Sequence, residues 1–363
     1  MELSNEAIVS LAVVFTYIIL SAVLLRWGGK LYKRSHTSTQ IFTTRLIAHR
    51  GLKNDKYAEN TLHAFKFAAN QVNVDMIELD CWLSKDGQVV VFHDGTTDRM
   101  CGTPGHVNDL NYAEFPKLQL STTEKEAYSS LTDTQKKDAD RIPLLKEVLE
   151  MLDNKKGLIV EIKQNSDEML QKIYVLLTKF ERVTNGSTCW FSLSASINKK
   201  LQKFQPTNSN NSGENFHPLP TISSVPEVLT TFILYWTGLL PFFPLFHTYK
   251  IFGVICFPVT AELLHRLVKL PMPLAKVLNF FFGGHPSKIL VVPKLIKHMK
   301  DRGFPCVVLG MNGVDDIAFV KKVAATGALT DHCDTIKKSP EWHRLCDDLW
   351  SEPSDFTKSK SFI

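Results

Sequence analysis

LIAHRG (46–51), EN (59–60), MIELDCWL (76–83) and VVVFHD (89–94) follow one another in the stretch Leu46–Asp94 of a 363-residue chain. Short apolar runs alternate with groups that carry or exchange charge: His49–Arg50, Glu59, Glu78 with Asp80, and His93–Asp94. Residues two apart on a strand project to the same face, so Glu78 and Asp80 share one. LIVEIK (158–163) repeats the device with Glu161 and Lys163. In a parallel β/α barrel, functional side chains sit at the C-terminal ends of strands, which is where these runs place theirs. Two histidines, paired carboxylates and an arginine suit metal-assisted attack on a phosphodiester.

Outward from that stretch, β-branched runs alternate with helical patterns. Strands are expected at Arg45–Arg50, Met76–Leu83, Val89–His93, Leu158–Lys163, Trp190–Leu193, Gly253–Phe257, Cys306–Leu309 and Ala328–Thr330. Helical spacing covers Thr61–Val72, Leu144–Asn154, Asp167–Arg182, Pro293–Arg302 and Val314–Thr326. Asn60 stands where a helix N-cap is expected, and Pro143 and Pro293 suit a first helical turn. About eight strands with intervening helices predict an α/β fold, a (β/α)8 TIM barrel. A doubly wound open sheet is the alternative, but no GxGxxG or phosphate-binding glycine loop supports it.

Residues 7–25, AIVSLAVVFTYIILSAVLL, carry no charge and are predominantly apolar. As a helix they would be about 28 Å long, enough for a bilayer core, so an N-terminal transmembrane helix is expected. Glu2 and Glu6 precede the run and Arg26, Lys30, Lys33 and Arg34 follow it. This predicts an uncleaved single-pass anchor in the endoplasmic reticulum or another internal membrane, with the catalytic domain cytoplasmic by the positive-inside rule. The sequons at Asn185 and Asn210 point the other way.

The expected division is an anchor (1–26), a basic linker (27–44), a barrel (45–340) with an apolar membrane-facing insert at about 228–283, and a C-terminal tail (341–363). Within the insert, Val228–His247 lacks a formal charge, but Pro241 and Pro244 break it. A second span there would also prevent barrel closure, so monotopic contact is expected. NSNNSGE (208–214) reads as a surface loop. The seven cysteines form no CxxC pair and read as reduced thiols. The modest net charge of +5 gives no reason to expect a nucleic-acid partner.

Glu78, Asp80 and Glu161 would surround one oxygen-ligand cation, Mg²⁺ or Ca²⁺. His93 is either a further ligand or, with His49, one of two groups sharing general-acid and general-base work. Arg50 and Lys163 would neutralise phosphate. Glu59 would orient Arg50 or His49, or favour the dipole of the helix beginning at Thr61.

At these residues the chain resembles the glycerophosphodiester phosphodiesterase family. The resemblance rests on HRG (49–51), EN (59–60) with Thr61, ELD (78–80), DG (86–87), FHD (92–94), VEIK (160–163) and ATGALTD (325–331). The N-terminal apolar run and the apolar insert resemble the small membrane-anchored branch that acts as lysophospholipase D. Three features depart from the family pattern: Ala58 where proline usually precedes EN, no tryptophan in LGMNG (309–313), and His332–Cys333 after TD. The resemblance implies a TIM barrel, a divalent metal held by Glu78, Asp80 and Glu161, and His49 and His93 as the acid/base pair. It further implies attack by a substrate hydroxyl on phosphorus, giving a cyclic phosphate that water opens.

The expected reaction is hydrolysis of the lysophospholipid phosphodiester to lysophosphatidic acid and the free headgroup alcohol. Alternatives are a phosphodiesterase on deacylated glycerophosphodiesters giving glycerol 3-phosphate, a phosphoinositide-type phospholipase, and a non-catalytic lipid-binding barrel. The expected partners are the lysophospholipid or glycerophosphodiester substrate and the membrane bilayer.

Overall fold

The computed structural model describes residues 4–31, 44–54, 56–205, 218–242, 250–255, 260–262, 265, 271–276 and 291–350. Eight strands run parallel and close into a barrel: β1 (Leu46–Ala48), β2 (Met76–Leu83), β4 (Gly157–Ile162), β5 (Thr188–Phe191), β6 (Thr221–Ile222), β7 (Lys250–Ile255), β8 (Cys306–Leu309) and β9 (Gly327–Thr330). Closure is made by β1, which pairs with β9 on one side and β2 on the other. The barrel expectation therefore holds, and the open-sheet alternative falls.

The period of two explains how MIELDCWL serves two environments. Met76 points inward and packs with Ile47, Ile159, Phe191, Ile251, Val307 and Leu329 in the barrel interior. Glu78 and Asp80 follow on the same side, higher up the strand. Ile77, Leu79 and Cys81 point outward into the layer between sheet and helices. The register aligns Asp80 with Glu161 on neighbouring strands, so inward carboxylates from two strands meet.

One strand expectation is corrected, and one barrel strand was not expected. Val89–His93 is not a barrel strand: β3 (Val89–Val91) runs antiparallel to β2. The cause is the turn Ser84–Gln88, in which Gly87 adopts φ 76° and the Gly87 N–H donates to Ser84 O at 3.0 Å. An Asp-Gly pair between apolar runs is a hairpin signal. The remaining barrel position is filled by β6, which is only two residues long and too short to leave a pattern.

Helices among the described residues include α1 (Asn5–Leu31), α2 (Leu62–Lys66) continued by a π-helical turn Phe67–Val72, α3 (Asp98–Cys101), α4 (Thr122–Ser129), α5 (Asp133–Ala139), α6 (Leu145–Met151), α7 (Asp167–Lys179), α8 (Ala195–Lys203), α9 (Val225–Trp236), α10 (Val291–Asp301), α11 (Val314–Val323), α12 (Cys333–Lys338) and α13 (Pro340–Trp350). The last falls largely in the expected tail, yet Trp342 and Leu345 are buried.

No helix among the described residues is long and apolar enough to cross a membrane, so the expected transmembrane anchor is not found among them. The apolar run is instead part of α1, which leans on the barrel. The Tyr17 hydroxyl donates to Thr237 O, and His298 Nδ1 donates to Leu25 O at 3.2 Å. Its other face is bare, with Phe15 66% exposed. Residues 32–43 of the linker, the loop 206–217 with Asn210, residues 243–249, 256–259, 263–264, 266–270 and 277–283 of the apolar insert, residues 284–290, and residues 351–363 lie outside the described residues, and with them the end of the expected strand Gly253–Phe257.

Candidate active site

His49 follows the last residue of β1, and its N–H donates to Thr330 O of β9 at 2.9 Å. Its Nδ1 meets Asp331 Oδ1 at 2.5 Å, and its Nε2 lies 3.9 Å from Glu78 Oε2. Burial works against the imidazolium. The bond to Asp331 and the charge of Glu78 outweigh it and raise the His49 pKa above 6.5. Asp331 is itself fixed: Asn312 Nδ2 donates to Oδ2 at 3.0 Å, and the Asp331 N–H donates to Asn312 Oδ1 at 2.9 Å.

Arg50 comes next with φ 53°, in the left-handed region that residues other than glycine rarely enter. This turn lets the Arg50 N–H donate to Glu78 Oε2 at 3.0 Å while its guanidinium reaches Glu59 at 3.0 Å and Asp80 at 3.3 Å. Such backbone strain, tied down by buried partners, is characteristic of functional sites.

Oxygens of Glu78, Asp80 and Glu161 lie within 4.8 Å of one another, and all three residues are buried. Burial, with the charges of Asp80 and Glu161, pushes the Glu78 carboxyl up to about 8. Burial also raises Glu161, whereas the charges of Lys163 and Arg50 overcome burial at Asp80 and hold it far below the usual carboxylate range. Lys163 Nζ bridges Asp80 Oδ1 at 2.9 Å and Glu161 Oε2 at 2.8 Å. Glu78 Oε1 is buried without a hydrogen-bond partner. Three converging carboxylates, one of which has an orphaned oxygen and a pKa raised by burial and by its neighbours' charge, fit a hard divalent cation that would relieve both costs. His93 lies outside this close group of carboxylates.

His93 reaches the site because the hairpin returns along β2: the Phe92 N–H donates to Asp80 O at 2.9 Å, and Trp82 Nε1 donates to His93 O at 3.2 Å. Its Nδ1 meets Asp94 Oδ1 at 2.6 Å. Burial and the nearby charge of Lys163 lower its pKa below 6.5, opposite in direction to His49. Glu59 is buried and accepts from Arg50 at 3.0 Å and Arg99 at 2.6 Å, with Lys53 at 3.5 Å. Orienting Arg50 is therefore the role that its geometry supports.

Thus His49, Arg50, Glu59, Glu78, Asp80, His93, Glu161 and Lys163 all converge at one end of the barrel. Lys163 lies among the carboxylates, where a phosphate contact had been expected. Asn60 is corrected: the N-cap of α2 is Thr61, whose hydroxyl accepts from the Ala64 N–H at 3.2 Å. Asn60 instead donates through Nδ2 to Asp80 Oδ2 at 2.8 Å. Sequence reasoning gave no role to Asp331, Asp94, Asn312 or Arg99. ATGALTD and FHD contain two of these residues, but no local signal shows which histidine each carboxylate holds.

Residues 49–195 match the Glycerophosphoryl diester phosphodiesterase family. The chain is 30% identical over 339 residues to the rat (Rattus norvegicus) protein named lysophospholipase D GDPD1, covering 92% of this chain and 97% of that one. It is 29% identical to human (Homo sapiens) lysophospholipase D GDPD3, covering 87% of this chain and 90% of that one. The fold is similar to that of glycerophosphodiester phosphodiesterase from Agrobacterium tumefaciens, with a TM-score of 0.54 and 18% identity over 84% of this chain and 99% of that one. Near end-to-end likeness to these relatives and the closed parallel barrel establish that the chain belongs to the glycerophosphoryl diester phosphodiesterase family.

Proposed function

We propose that the protein is a metal-dependent lysophospholipase D, releasing the headgroup alcohol and leaving lysophosphatidic acid. The observation that carries this reading is the convergence of the Glu78, Asp80 and Glu161 carboxylates with two histidines, each held through Nδ1 by its own carboxylate. A divalent cation, Mg²⁺ or Ca²⁺, held by the three carboxylates would supply positive charge against the phosphoryl oxygens. The free hydroxyl of the lysolipid glycerol attacks phosphorus, and one imidazole accepts its proton. The other imidazole donates a proton to the departing headgroup oxygen. A cyclic phosphate results, and water opens it with the two roles reversed. Arg50, fixed by Glu59 and Asp80, contributes a permanent positive charge beside the phosphate.

A lysolipid is favoured over a deacylated diester by the relatives named lysophospholipase D, which the chain matches along most of its length. The bare apolar face of α1 and the exposed Trp236 of α9 support contact with a bilayer from which a one-chain lipid can be drawn. Arg26, Lys30, Lys33 and Arg34, at and beyond the C-terminal end of α1, would be drawn to anionic lipid on the cytoplasmic face of the endoplasmic reticulum or another internal membrane. A glycosylation shift at the exposed Asn185 would refute that sidedness.

The test compares full-length protein on lysophosphatidylcholine and on glycerophosphocholine. The expected result is choline plus lysophosphatidic acid, with the lysolipid the faster substrate. Cleavage of glycerophosphocholine alone would replace this reading with the glycerol 3-phosphate-forming one. Phosphocholine as product, or no cleavage of either substrate, would overturn it.

A further inference from the structure

Arg99 lies on α3, in the excursion between β3 and α6, and outside every run that carries the family resemblance. Its Nε donates to Asp94 Oδ2 at 2.5 Å, and its Nη2 donates to Glu59 Oε1 at 2.6 Å. The other oxygen of Asp94 holds His93 Nδ1 at 2.6 Å, and the same oxygen of Glu59 accepts from Arg50 Nη1 at 3.0 Å. One guanidinium therefore closes an unbroken chain, His93–Asp94–Arg99–Glu59–Arg50. Its planar fork sets the direction of both bonds at once, which the single Nζ of a lysine does not do. Glu59 is buried, so a lost partner there leaves a buried carboxylate less compensated.

We propose that Arg99 is a positioning residue that holds the His93 imidazole and the Arg50 guanidinium in one frame. It acts through Asp94 and Glu59, without touching the substrate. The α3 excursion is thereby part of the catalytic apparatus as well as a cover for the hairpin. This inference rests on the phosphodiesterase reading above for its kinetic consequence, but not for its geometry.

The experiment uses full-length wild type, Arg99→Ala, Arg99→Lys, Asp94→Asn and the Arg99→Ala/Asp94→Asn double variant. Choline release gives kcat and KM, and ¹⁵N-histidine spectra without substrate report the His93 Nδ1 environment. Arg99→Ala is expected to lower kcat by about 10- to 100-fold, the range of partners that orient a functional side chain, with KM changed less than about threefold. Added guanidinium ion should restore part of the rate, Arg99→Lys should not, and the double variant should lose less than the product of the two single losses, because the two changes share the Asp94 arm. The His93 Nδ1 resonance should move in Arg99→Ala. An unchanged kcat, a loss confined to KM, or an unmoved resonance overturns the proposal. Should wild type itself release no choline, the reaction assignment fails, and the resonance alone decides whether Arg99 positions His93.

Discussion

Asn60 shows how a side chain that looks like local punctuation serves a distant group. It stands one residue before the true cap and donates to Asp80, twenty positions along the chain. Asn60→Ala is expected to weaken divalent-cation binding by about tenfold, the order found for groups that orient a metal ligand, while the helix cap at Thr61 stays intact. Cation titration by calorimetry reads this, and unchanged affinity would contradict it. Glu59 carries a pH signature. Burial opposes its charge, but Arg50 and Arg99 overcome that and hold its carboxyl below 4.5. A lowered folded-state value gives stability that is present above 4.5 and lost as pH falls through the folded value. The thermal midpoint of wild type should therefore drop as pH falls below 4.5, and Glu59→Gln should flatten that drop while lowering the midpoint at neutral pH. Parallel slopes for the two proteins would refute this origin. His49, Glu78, Asp80 and Glu161 were legible in sequence because strand register and charge type are local properties. Asp331 was not legible as the partner of His49, since 282 positions separate them and only barrel closure brings β9 beside β1.

At the level of elements, the turn from β1 into α2 is the most constrained segment of the site. Arg50, Gly51 and Asn60 all have positive φ. A Cβ on Gly51 would lie 2.7 Å from Phe65 Cδ1 and 3.1 Å from the Ala64 carbonyl carbon. Gly51→Ala should destabilise the protein by about 1–3 kcal/mol, through a φ of 80° as well as that contact. Denaturant unfolding within about 0.5 kcal/mol of wild type would show that the turn relaxes freely. The β2–β3 hairpin explains both the misassigned strand and the placement of His93. Alternating apolar residues look alike in a parallel and an antiparallel strand, so Val89–Val91 gave the right element with the wrong partner. The Asp-Gly turn at 86–87 was the signal that distinguishes them.

Across the whole molecule, the barrel was legible because inward and outward sets repeat on successive strands. How α1 sits was not, because apolar content alone does not tell a lipid-facing surface from one packed on protein. Tyr17 and Leu25 contact the barrel, while Val13, Phe15 and Ile19 are exposed. Each exposed apolar side chain contributes about 1.5–3 kcal/mol when removed from water. Phe15→Glu with Ile19→Glu should therefore lower partitioning onto phosphatidylcholine vesicles by at least about 100-fold, yet leave glycerophosphocholine hydrolysis unchanged. Equal sedimentation of the variant with vesicles would remove α1 as the membrane contact.

The most direct test of a cation held by Glu78, Asp80 and Glu161 is choline release from lysophosphatidylcholine by EDTA-treated full-length protein, with Mg²⁺ or Ca²⁺ then added, for wild type and Glu78→Gln. The carboxylate site predicts no release in EDTA, recovery with one of the two cations in wild type, and no recovery in Glu78→Gln. Full release in EDTA, or equal recovery in both proteins, would contradict it.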